Sequence, residues 1–160
     1  MVIRMKIISK SPSETRKIGK TLGRILKPKN ILALIGDLGS GKTTFVQGIA
    51  EALEIPLPVN SPSFLILKEY KGKYKLLHAD VYRLKEPEIE LENIGFYEYL
   101  YNDYIVVIEW ADRIKNLLSI EYLEIIFEHK NINERSISFS AHGERYEKLL
   151  REFEQCLSWE

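Results

Sequence analysis

One cysteine, Cys156, stands among 160 residues. A single thiol makes no internal disulfide, so packing alone has to hold the chain, in keeping with a reducing cytosol. There is no surplus charge of either sign, with 23 Lys and Arg against 23 Asp and Glu. A free-standing nucleic-acid binder needs positive charge to displace counterions, so the balance argues against that class. No apolar run approaches the roughly 20 residues of a membrane span. The opening MVIRMKIISKSPSE lacks the long apolar core of a secretion signal. His129, His142 and Cys156 show no metal-ligand spacing, so no zinc site is expected. Repeats and low-complexity tracts are also missing. These absences leave a soluble, cytoplasmic chain whose residues 1–160 form one domain. Its 45% apolar and 29% charged residues are ordinary globular proportions.

What is present alternates between strand-like and helix-like stretches. Residues 4–9, RMKIIS, read as a short strand. Ser11-Pro12-Ser13-Glu14 matches a capping box, with Ser11 as cap, Pro12 in the first turn and Glu14 reaching back. The helix that follows carries Ile18, Leu22, Ile25 and Leu26 on one face. ILALI, 31–35, is a continuous apolar run of the kind found in strands covered on both faces. A second helical stripe runs through Phe45, Ile49, Ala50 and Leu53.

FLILKEY and YKLLHADVY are joined by Lys71-Gly72-Lys73 and predict a hairpin. Its tip, EYKGKYK, interleaves Tyr with Lys, but in a chain of zero net charge it reads as a solvated turn rather than an RNA contact. Short helices are expected over 86–102, broken at Gly95. YIVVIEW, 104–110, is a second buried strand. EYLEIIFEH and RSISFSA predict another hairpin, and Tyr146, Leu149, Leu150, Phe153 and Leu157 mark a closing amphipathic helix. The sum is an α/β layered domain of P-loop NTPase type, with a mixed central sheet that includes antiparallel hairpins and is flanked by helices.

Between the first buried strand and the helix after it, Gly36-Asp37-Leu38-Gly39-Ser40-Gly41-Lys42-Thr43 fits G-x-x-x-x-G-K-[ST]. Glycines let the backbone turn its N–H groups inward as a nest for anionic oxygens, and the following helix adds its unpaired amides. Asp37, Leu38, Gly39, Ser40, Gly41, Lys42, Thr43 and Thr44 are therefore the candidate nucleotide-binding stretch. Lys42 is placed to neutralise the β- and γ-phosphates, and the Thr43 hydroxyl to ligate Mg²⁺. Such a site also needs a carboxylate at a strand end for the metal. Glu109, after IVVI, and Asp80, after YKLLHA, both qualify, and their spacing does not choose between them. SPSF, 61–64, supplies Ser63 where many NTPases keep a γ-phosphate switch.

Four blocks in this order, GDLGSGKTTFVQGIA, VNSPSF, HADVYRL and IEWADR, resemble the TsaE (YjeE) family, the P-loop ATPases of bacterial tRNA threonylcarbamoyladenosine biosynthesis. The resemblance spans roughly residues 11–142. One departure is Ser63, where the family usually has Thr; the hydroxyl is kept. The resemblance implies that Lys42 is the phosphate lysine, Thr43 a Mg²⁺ ligand and Glu109 the metal-side acid. It makes Asp80 a second active-site acid and Ser63 the switch hydroxyl, with Trp110 lining the site. Arg113, Arg135 and the segment around Ser11–Thr15 are expected to approach the nucleotide. His78, within the HADVYRL block, is expected to hydrogen-bond a neighbour on its sheet.

The same resemblance implies ATP and Mg²⁺ as cofactors and TsaD- and TsaB-like proteins as partners, with tRNA reached only through that assembly and no membrane role. With no strong arginine-finger candidate, hydrolysis is expected to be slow alone and faster with partners. A small P-loop kinase is the alternative. It needs an acceptor pocket and an arginine-bearing lid, for which the hairpin-rich stretch 55–80 leaves little room.

Overall fold

A computed structural model describes residues 3–56, 58–60, 67–118 and 120–158. The first half runs β1 (Arg4–Ser9), α1 (Pro12–Gly23), β2 (Ile31–Gly36), α2 (Lys42–Ala52), β3 (Leu67–Lys71) and β4 (Lys75–Asp80). The second half runs α3 (Pro87–Asn93), α4 (Phe96–Tyr101), β5 (Tyr104–Glu109), β6 (Tyr122–His129), β7 (Arg135–His142) and α5 (Glu144–Ser158). Two 3₁₀ turns, Ala111–Arg113 and Lys115–Leu117, follow β5. Every stretch expected as a strand or helix within these residues is one. Part of the expected first strand of the hairpin, 64–66, lies outside the described residues.

The seven strands order as β1-β7-β6-β2-β5-β4-β3. The apolar run 31–35 sits in the middle, with β6 and β5 parallel to it on either side and β4 parallel beyond β5. Hairpins supply the antiparallel margins: β3 against β4, and β7 against β6. The N-terminal strand β1 closes the other edge antiparallel to β7. On one face, α1, α2 and α5 bury Leu22, Phe45, Ile49, Tyr146 and Phe153 against the sheet. On the other, α3, α4 and the 3₁₀ turns bury Leu91, Phe96, Leu100 and Ile114. The Tyr146 hydroxyl also accepts the Ile31 N–H at 2.8 Å, fastening α5 to the start of the central strand.

Ser11 caps α1, accepting the Glu14 N–H at 3.0 Å. Glu14 reaches back to the N–H of Lys10 at 3.3 Å, one residue ahead of the cap. From this start α1 runs onto α2 through glycines. A Cβ on Gly19 would lie 2.2 Å from the Phe45 carbonyl oxygen, and one on Gly48 2.0 Å from that of Arg16. Backbone therefore touches backbone, and Glu51 pins the crossing outside with Arg16 at 3.2 Å and Lys20 at 3.0 Å. The crossing brings the α1 start against the glycine loop. Thr15 Cγ2 lies 3.5 Å from where a Gly41 side chain would begin, and the Thr15 hydroxyl is 2.6 Å from that of Ser9.

Gly48→Ala forces the two helices apart. We expect a loss of about 2–3 kcal/mol from overpacking, and a fall in unfolding midpoint of roughly 4–12 °C for a chain this size. Thermal unfolding of the variant beside wild type measures it; an unchanged midpoint would mean that the helices are not held this closely.

Candidate functional site

Parallel strands deliver their C-terminal ends to one rim, and the loop after β2 stands over that rim. Gly39 and Gly41 take φ of +74° and +104°, a region that only glycine enters without strain. Gly41 is the last residue before α2, so the first amides of that helix open onto the loop. A Cβ on Gly36 would meet the Ser40 hydroxyl at 2.7 Å and the Phe127 carbonyl at 2.8 Å. The Ser40 hydroxyl is itself buried and has no hydrogen-bond partner among the described residues. A bare-backbone cradle with a waiting hydroxyl fits an anionic, oxygen-rich ligand.

Lys42, the first residue of α2, is buried, and its ammonium donates to the carbonyls of Gly36 and of Asp37, the latter at 3.0 Å. The same nitrogen sits 4.1 Å from the centre of the Trp110 ring, a cation–π geometry. Burial pushes the Lys42 ammonium below its ordinary value; Glu109, Asp80, Asp37 and Asp112 pull it back up without cancelling the shift. Trp110 reaches this position with φ of +60°, which is strained for a bulky residue. Its other neighbour is Tyr82, with ring centres 4.5 Å apart.

Register settles where the acids stand. Glu109 pairs with Leu34 on one side and Asp80 on the other, so both carboxylates leave the sheet in one row beneath the loop. Glu109 is buried. Its Oε1 lies 3.5 Å from the Thr43 hydroxyl, and its Oε2 is held by His78 Nε2. Asp80 lies nearer solvent and accepts the Tyr82 N–H at 3.0 Å. A hydroxyl and two carboxylates beside a phosphate cradle form an oxygen-rich donor set of the kind a hard divalent cation takes. One lysine, one hydroxyl and two acids thus converge from α2, β4 and β5. That constellation is the set of residue types a P-loop nucleotide site uses.

The family model described as "Threonylcarbamoyl adenosine biosynthesis protein TsaE" matches residues 9–137, which take in every residue of this constellation. The chain belongs to the TsaE family. It is 44% identical over 143 residues to the tRNA threonylcarbamoyladenosine biosynthesis protein TsaE of Bacillus subtilis (strain 168), covering 89% of each chain. The TsaE of Treponema pallidum (strain Nichols) is 39% identical over 114 residues, 71% of this chain and 84% of that one. The crystal structure of Bacillus subtilis YdiB superposes with a TM-score of 0.80 at 37% identity, covering 97% of both chains. The α/β sheet described above is thus a TsaE fold, and the family suggested by the four sequence blocks is the right one.

The remaining expected TsaE positions divide by place. Arg135 reaches the loop itself: Nη2 donates to the Gly39 carbonyl at 3.4 Å, while Nη1 donates to Asn131, Ile132 and Glu134 carbonyls in the β6–β7 turn. Its guanidinium ties that turn to the loop. Arg113 stands one layer further out, donating to the Leu84 carbonyl at 3.3 Å and lying 5.5 Å from the Tyr82 ring that backs Trp110. Leu38 projects from the loop at 86% exposure, so only its backbone borders the cradle. Thr44, next to Thr43 in the first turn of α2, is partly buried. Ser63 lies outside the described residues.

His78 has a larger part in the site than was legible in the sequence, since the neighbour it bonds is Glu109 itself. The signal was the two-residue spacing from Asp80, which places both side chains on one face of a strand. The tilted Tyr82–Trp110 ring contact and the Arg135–Gly39 bond had no such signal. Both join loops far apart in the chain.

Proposed function

We propose that this protein is the ATP-binding and hydrolysing component of the machinery that makes N6-threonylcarbamoyladenosine in tRNA, working in the cytoplasm with TsaD- and TsaB-like partners. The observation that carries the reading is the meeting of Lys42, Thr43, Glu109 and Asp80 beneath a glycine cradle in a chain of the TsaE family. The relatives' names supply the pathway; the site supplies the reaction class.

In this reading the loop amides and the buried Ser40 hydroxyl bind the phosphate chain. Lys42 trades its two carbonyl partners and the Trp110 face for β- and γ-phosphate oxygens, and its charge stabilises what develops on the γ-phosphoryl. Thr43 and Glu109 would hold Mg²⁺, which when bound would supply further neutralisation of the phosphate oxygens. Asp80, in register with Glu109 but nearer solvent, orients the attacking water, which divides the work of the two acids. Trp110 and Tyr82 wall the site on the β4–β5 side. Arg135 is committed to backbone carbonyls and Arg113 stands behind Tyr82, so a charge that completes the transition state is expected from a partner. Hydrolysis by the isolated chain is accordingly slow.

Co-purification with TsaD- and TsaB-like proteins under ATP, ADP and nucleotide-free conditions tests the pathway. We expect association that depends on the nucleotide, with phosphate release accelerated at least about tenfold in the assembly. Absence of association in all three conditions contradicts the pathway assignment.

A further inference from the structure

His78 is a polar ring in the apolar interior, with no solvent exposure. Strand alternation puts it on the same face of β4 as Asp80, and register pairs it with Val107, so it stands one pair deeper than Glu109 and diagonal to it. Nε2 bonds Glu109 Oε2. Nδ1 has no partner among the described residues. A proton on Nδ1 would be a buried donor without an acceptor. The arrangement therefore places the ring proton on Nε2, which donates to the carboxylate, and leaves only a lone pair unpartnered.

A carboxylate has two equivalent oxygens and rotates easily about its last bond. In Glu109 the two are told apart: Oε2 is taken by His78 and Oε1 faces the Thr43 hydroxyl at 3.5 Å. We infer that His78 is a positioning residue for the metal side of the site, fixing the rotation of the Glu109 carboxylate so that Oε1 is presented beside Thr43. This rests on the reading of Glu109 and Thr43 as the Mg²⁺ side of a nucleotide site. His78 touches neither metal nor nucleotide and acts through Glu109, as donors behind metal ligands commonly do, where their loss weakens metal binding about 10–100-fold.

Calorimetric titration of ADP, in EDTA and across a Mg²⁺ series, separates this role from a structural one. His78→Leu fills the space without a donor, His78→Gln offers an amide N–H at about the reach of Nε2, and His78→Asn falls short of Glu109. All variants should bind ADP in EDTA within about twofold of wild type. The Mg²⁺ concentration that half-restores full affinity should rise about tenfold in His78→Leu and His78→Asn, and return to within about threefold of wild type in His78→Gln. Should His78→Leu not fold, the contrast between Asn and Gln carries the same expectation. Wild-type Mg²⁺ dependence in a donor-deleted variant, or no rescue by Gln, overturns the inference. A wild-type protein whose ADP affinity ignores Mg²⁺ overturns instead the reading of Glu109 and Thr43 beneath it.

Discussion

Lys42→Met is expected to abolish nucleotide binding while leaving the free protein as stable as wild type, or more so. Two effects of one ammonium separate here. In the free protein the charge is held by the Gly36 and Asp37 carbonyls and the Trp110 ring, yet burial outweighs these supports and the four nearby carboxylates, and the pKa lies below 10.5. A base whose folded-state pKa is depressed contributes its full stability above its unfolded value and loses it as pH falls through the folded value. Below that lowered value the penalty is fully in force, and a methionine of similar length removes it.

With nucleotide the balance reverses, because the phosphates supply the counter-charge that the loop carbonyls only partly provide. Wild type at a hundredfold excess of MgADP over Kd gains about 2.7 kcal/mol; the variant should gain nothing measurable, and ATP turnover should fall by at least about a hundredfold. Thermal unfolding with and without MgADP reads both effects. A free variant melting well below wild type would mean that the ammonium is a net stabiliser.

Glu109→Gln is expected to fold, bind nucleotide and lose hydrolysis. The substitution keeps shape, and the amide oxygen still accepts from His78, so a buried position is not emptied. What disappears is one negative charge beside Thr43 and Lys42. Turnover should fall on the order of 10²–10³-fold, and ADP affinity in EDTA should hold or improve, because a charge that repels phosphate is gone. The Mg²⁺ enhancement of affinity should vanish. Since Glu109 is the largest influence raising the Lys42 pKa, that pKa should fall further in the variant. Steady-state phosphate release together with ADP titrations reads these changes; a variant that retains full turnover places the metal-side acid elsewhere.

Most of this site could be read from the chain alone, for a physical reason. Lys42 and Thr43 follow the glycines within one loop, so their geometry is local and their spacing carries it. Glu109 and Asp80 were legible as strand-end acids, because a buried apolar run that stops at a carboxylate announces the edge of a sheet. Which of them stands deeper, beside Thr43, was not legible, since that depends on how β4 and β5 pair and on Glu109 being buried while Asp80 lies nearer solvent.

The same limit hid the hold of His78 on Glu109, a diagonal contact across 31 residues, and the tie from Arg135 to Gly39 across 96. Nothing local in the sequence singles out Gly19 and Gly48. The crossing that makes glycine necessary at each is a fact about the pair. The hairpins at both margins were visible in turn residues and alternation, whereas the closing of the far edge by β1 against β7 left no local mark.

The fate of the γ-phosphate decides between powering an assembly and phosphorylating an acceptor. ATP labelled at that position should be incubated with the chain alone, with TsaD- and TsaB-like partners, and with the same mixture carrying Glu109→Gln. The label should appear as inorganic phosphate, slowly with the chain alone, faster with partners, and hardly at all with the variant. Label transferred to a small-molecule acceptor, or release that is indifferent to Glu109, would contradict a partner-driven ATPase built on this loop.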